Sequence, residues 1–138
     1  MSGVFQECFF VLEKEGLTSI PTRDNHTLLV KRTVRSGQRI TYAGNIVIMG
    51  DVNPGGEVIA EGSVIVMGDL KGVVHAGSSG DEKAVVIAFR LKPIQLRIAG
   101  FITRSPDEGE SRSDHPEIAH IQDGNVVIEK YHPGCEKI

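Results

Sequence analysis

Glycine stands at 44, 50, 56, 62 and 68, and a branched aliphatic residue precedes each by four positions: Ile40, Ile46, Val52, Val58 and Val64. The unit is a hexad, aliphatic-x-x-x-Gly-x. A coarser repeat lies on it, because residues 44–52 (GNIVIMGDV) match residues 62–70 (GSVIVMGDL) three hexads later. A period of eighteen built from three sixes predicts an all-β, three-sided β-solenoid with one coil per eighteen residues and a turn at each corner. Composition suits the thin core of such a stack: there are 16 glycines, aromatics make up 5% of the chain, and tryptophan is absent.

The pattern predicts four segments and a tail. Residues 1–34 lack the hexad and are expected to form an arm or linker, with strands over 9–12 and 27–33. Residues 35–104 form the β-helix. Coil one covers 36–53 and coil two covers 54–71. In the third, residues 71–77 resemble 55–61 shortened by two, and the corner at 77–82 is longer. The spacing there becomes 21, and residues 94–102 begin a fourth coil. Residues 105–117 are polar and read as a connector. Residues 118–131 carry two apolar runs around Asp123-Gly124, a hairpin signal, here a cap on the last coil. Residues 132–138 are the tail.

Side chains alternate sides along a strand. With Ile46, Ile48, Val64, Val66, Val85 and Ile87 pointing inward, Val47, Met49, Ile65, Met67, Val86 and Ala88 point outward. That face would be apolar on both sides over three stacked coils, whereas Arg39, Thr41, Glu57 and Glu61 make another face polar. Contiguous exposed apolar surface of this kind marks an interface, and a two-fold homodimer is the simplest way to close it.

The remaining chemistry is sparse. Fifteen basic against eighteen acidic residues give a net charge of −3, which disfavours nucleic acid as a partner. Cys8 and Cys135 belong to no CxxC pattern, so a disulfide scaffold is not expected and a reducing cytoplasm fits. The N-terminus lacks a basic n-region, and no apolar run approaches the ~18 residues of a spanning helix. His26, His75, His115, His120 and His132 form no HExxH pair, and His132 with Cys135 supplies only half of a zinc site. No nucleophile elbow or Walker motif is present. We therefore expect no catalytic residues, metal or cofactor. Hexapeptide acyltransferases also use coils of eighteen, but His75 is the one histidine inside the repeat and sits in its irregular coil.

The sequence RSGQR at Arg35 to Arg39, then ITYA at 40–43 and GDVNPGGEVIAEG at 50–62, resembles the C-terminal domain of the septum site-determining protein MinC. The similarity continues through residues 66–72, 76–81 and 96–100 to 117–129. It implies a short right-handed β-helix that dimerises and binds the membrane-associated ATPase MinD in its ATP-bound state, a complex that blocks assembly of the FtsZ division ring. The family's MinD-binding motif falls on Arg35, Ser36, Gly37 and Gln38. Its acidic neighbour falls on Glu57, with Gly56 in place of the usual alanine. Localisation would be cytoplasmic, with recruitment to the inner membrane face through the partner. The 34 residues before Arg35 are too few for the family's α/β N-terminal domain, the part that chiefly antagonises FtsZ. A second reading is a bactofilin-like scaffold, also a β-helix, which polymerises end to end and lacks RSGQ.

Overall fold

The computed structural model describes residues 26–103 and 115–131. The expected strand at 9–12, most of the connector, the tail and both cysteines lie outside them. Among the described residues eleven strands form two main sheets. Sheet A contains β1 (Thr27–Val30), β3 (Asn45–Ile48), β5 (Val64–Leu70), β7 (Val86–Leu91), β10 (Glu117–Gln122) and β11 (Asn125–Lys130), in that order. Sheet B runs β2 (Arg39–Tyr42), β4 (Glu57–Ala60), β6 (Val73–Ala76), β8 (Gln95–Ile98) and β9 (Phe101–Thr103). A third side is a ladder of single residues, with bridges from Val34 to Val52 and from Val52 to Leu70, and Leu70 paired with Leu91. The result is the three-sided β-helix that the hexads predict.

Each rung repeats the last because the inward residues repeat. Val34, Val52 and Leu70 are fully buried on the third side, and so are Ile46 and Val64 in sheet A and Val58 and Val74 in sheet B. Polar corner residues tie the rungs together. Asn45 Oδ1 accepts the Ser63 N–H at 2.8 Å, and Asp51 Oδ1 accepts the Asp69 N–H at 2.9 Å. These side chains fill the space above them, where a Cβ on Gly62 would collide with Asn45 Oδ1 and one on Gly68 with Asp51 Oδ1. The glycine series therefore makes room for a polar ladder as well as for turns.

Three expectations change. First, the stack begins earlier than residue 35. β1 pairs in parallel with β3, placing Leu28 beside Ile46 and Val30 beside Ile48, so residues 27–34 are the first rung rather than an arm. Second, residues 94–102 are not one continuous strand: β8 opens a fourth coil, parallel to β6, and the coil goes no further. β9 folds back antiparallel on β8, and Ala99, in the left-handed region at φ 55°, makes the tight reversal.

Third, Val86 and Ala88 do not point outward. Val64 pairs with Val86 and Val66 with Ala88, and both partners in β7 are fully buried. The 21-residue spacing holds only beyond an irregularity, where Asp69 pairs with Arg90 and Leu70 with Leu91. Between these stretches Met67 and Gly68 oppose Phe89 alone. A β-bulge absorbs one residue, and a one-residue slip exchanges inward and outward positions. The outward residues of β7 are thus Ile87 and Phe89.

The hairpin at the end is present. β10 and β11 pair antiparallel around Asp123-Gly124, both at positive φ, and β10 lies antiparallel on β7. Ala119 enters the core, and Glu117 Oε1 accepts the Leu91 N–H at 2.8 Å.

Candidate functional site

The chain passes from the third side to sheet B through a four-residue turn. The Gln38 N–H donates to the Arg35 carbonyl at 3.0 Å, and Gly37 has φ of 87°, the pattern of a type II turn with glycine at its third position. One rung on, Asn53-Pro54-Gly55-Gly56 repeats it. The Gly56 N–H reaches the Asn53 carbonyl at 2.8 Å, and Gly55 has φ of 92°.

The two turns are stacked. The Gly37 N–H donates to the Gly55 carbonyl at 2.9 Å, and the Glu57 N–H donates to the Gln38 carbonyl at 3.0 Å. Ser36 lies over Gly55 so closely that a Cβ there would collide with its hydroxyl. Among the described residues nothing lies within 4 Å of the Cβ position of Gly37, so that backbone is open on this side. The outer turn is therefore held from one side and open on the other.

Its side chains divide into held and free. Gln38 Oε1 accepts the Arg35 backbone N–H at 2.8 Å and Arg32 Nη1 at 3.1 Å. Arg39 Nε contacts Glu57 Oε1 at 3.1 Å across adjacent rungs, with side chains 64% and 33% exposed. An exposed pair of this kind contributes about 0.2–1 kcal/mol, so it fixes geometry more than stability. The Arg35 guanidinium is exposed and has no hydrogen bond or ion pair among the described residues. Arg32, Thr33, Arg35 and Gln38 line a shallow open concavity beside the turn.

The fold thus brings Arg35, Ser36, Gly37 and Gln38 into one exposed turn and sets Glu57 beside it on the outer face of sheet B. Glu57 is presented there as half of an exposed ion pair, its Oε1 contacted by Arg39. Arg32 was missed. It precedes the motif, and its place in the concavity depends on a corner that sequence parity does not reveal.

Elsewhere, two histidines serve the fold. His75 Nε2 lies 3.1 Å from the Ala99 carbonyl and braces the β8–β9 reversal. His120 is buried, with Nε2 2.6 Å from Glu129 Oε2 on the hairpin. Among the described residues no three His, Cys, Asp or Glu side chains are grouped to hold a metal ion.

Of the residues expected on the outer apolar face, Val47 and Ile65 are half-buried, while Met49 and Met67 are 48% and 49% exposed. Register places Leu29, Val47, Ile65 and Ile87 in one column across four strands. Phe89, 50% exposed, stands beside Met67 where Ala88 was expected.

Comparison with known proteins gives a consistent result. Residues 28–131 match the family described as septum formation inhibitor MinC, C-terminal domain. A probable septum site-determining protein MinC of Heliobacterium modesticaldum is 55% identical over 132 residues, which are 94% of this chain and 46% of that protein. One from Clostridium novyi is 48% identical, again over 94% of this chain and over 62% of its own length. The chain thus spans about half the length of these relatives. Among solved structures, a chain of the MinC:MinD cell division protein complex of Aquifex aeolicus superposes with a TM-score of 0.71 at 40% identity, covering 82% of this chain and 92% of that one. With its repeats, stacked turns and capping hairpin all inside the matched region, the chain belongs to the septum formation inhibitor MinC family, through that family's C-terminal domain.

Proposed function

We propose that this chain is a non-enzymatic module of a division-site inhibitor. It binds ATP-loaded MinD through the turn at Arg35–Gln38 with Glu57 alongside, and MinD brings it from the cytoplasm to the inner face of the membrane. There it helps prevent FtsZ from assembling at the wrong site. The observation that carries this reading is the outer turn itself: a stacked, exposed loop whose Arg35 guanidinium has no partner among the described residues. A planar guanidinium suits a fixed carboxylate on a partner, and the bare Gly37 backbone admits close approach. The likeness to a chain solved in a MinC:MinD complex supports it.

The module acts as a homodimer in this reading. The interface is the outer face of sheet A, formed by Val47, Met49, Ile65 and Met67 with Leu29, Ile87 and Phe89. An end-to-end filament fits the molecule less well, because antiparallel strands terminate both sheets and interrupt the parallel rungs.

The test is co-sedimentation with MinD and ATP on vesicles. Arg35→Ala is expected to weaken binding by about 1–3 kcal/mol, the loss of one charge-assisted contact, with the fold unchanged. Gly37→Asp is expected to weaken it too. Undiminished recruitment of both folded variants would move the site elsewhere on the solenoid.

A further inference from the structure

Among the described residues, each side chain that lines the concavity beside the turn has a proton to donate. Arg32 and Arg35 bring guanidinium groups, which donate and never accept. Thr33 Oγ1 already accepts the Asp51 N–H at 3.2 Å, which leaves its own proton for a ligand. Gln38 matters most. Its Oε1 is occupied twice, by the Arg35 N–H and by Arg32 Nη1. Its Nε2 is therefore the end left over, and it has no partner among the described residues.

No carboxylate joins the lining among the described residues. Asp51, the nearest acid in register, turns Oδ1 to the Asp69 N–H, and Glu57 is engaged by Arg39. First-rung charge points the same way: residues 26–50 contain Lys31, Arg32, Arg35 and Arg39 and no aspartate or glutamate, in a chain of net charge −3. A small concavity of fixed donors within a locally positive rung is complementary to one oxyanion.

We propose that Arg32, through its hydrogen bond to Gln38, is a second anchor of the partner site, and that the concavity receives a carboxylate side chain of the partner protein between Arg32, Arg35 and the Gln38 amide. This rests on the partner-binding reading above and specifies its chemistry. A protein carboxylate fits better than a lipid surface, because the donors line one concavity instead of spreading over a plane. Pinning the Arg32 guanidinium to Gln38 also reduces the side-chain freedom lost on binding.

The experiment uses the full chain and MinD with ATP, in solution and with anionic vesicles, and compares Arg35→Ala, Arg32→Ala and Gln38→Glu. Gln38→Glu is nearly isosteric and keeps an oxygen for both internal hydrogen bonds. It removes the outward donor and adds a negative charge where the anion would sit. Circular dichroism and melting verify folding, and Arg32→Lys replaces Arg32→Ala if the latter melts early. Arg32→Ala is expected to weaken MinD binding roughly five- to fifty-fold, and Gln38→Glu at least as much, with or without vesicles. Wild-type affinity for either variant, while Arg35→Ala is impaired, overturns the carboxylate clamp and leaves the partner site standing. Wild-type affinity for all three overturns both. A loss seen only with vesicles, and equally without MinD, assigns the concavity to lipid headgroups and also overturns the proposal.

Discussion

Gly37 and Gly55 have almost the same backbone, with φ of 87° and 92°, yet different surroundings. A Cβ at Gly37 would meet nothing within 4 Å among the described residues, whereas one at Gly55 would strike Ser36. Left-handed backbone costs a non-glycine residue about 1–2 kcal/mol. Forcing the stacked turns apart adds a further ~1–3 kcal/mol at Gly55. Urea unfolding should therefore show Gly55→Ala losing at least ~1 kcal/mol more than Gly37→Ala, and equal losses would contradict the stacking. The sequence makes both glycines conspicuous without saying which serves packing and which access. That distinction depends on which turn has a neighbour on its outer side, a property of the stack. The same holds for Asn45 and Asp51. They read as ordinary corner residues, but their side-chain oxygens cap the rung above and exclude a Cβ from Gly62 and Gly68.

Among the elements, the strand positions and the hairpin follow from periodicity, because apolar residues one coil apart must share the same core layer. Two features escape it. β1 has neither a hexad glycine nor a preceding coil to mark it, and only its pairing with β3 shows it to be a rung. The bulge at Met67-Gly68 is equally silent, because Gly68 looks like one more member of the glycine series. An apparent spacing of 21, correct at Leu91, is then carried back wrongly to Val86. Attachment of the hairpin gives a separate test. Glu117 Oε1 holds the Leu91 N–H, so Glu117→Ala should cost about 1–2 kcal/mol for an unmet donor. Glu117→Gln, which keeps an accepting oxygen, should recover most of it. Chemical denaturation measures both, and MinD binding should be unaffected because the hairpin is far along the stack from the Arg35 turn.

For the whole molecule, the corrected register gives the proposed dimer face a sharper test than exposure alone. The outward column of Leu29, Val47, Ile65 and Ile87, with Met49, Met67 and Phe89 alongside, is apolar from rung to rung. At about 25 cal/mol per Å2, burying these half-exposed side chains yields several kcal/mol before association costs. Met67→Lys puts a charge at 49% exposure in the middle of that face and nowhere near the core. It should leave the circular dichroism and melting of a dilute sample nearly intact while sedimentation shows a monomer. Val86→Lys carries the same change to a neighbouring rung at a fully buried position. An unpaired ammonium there costs several kcal/mol, a large part of the stability of a domain this size, so the variant should fail to fold. The pair separates surface from core by one strand and one bulge. A folded Val86→Lys monomer would restore the unbulged register, and a Met67→Lys variant that remained a normal dimer would place the two-fold contact on another face of the solenoid.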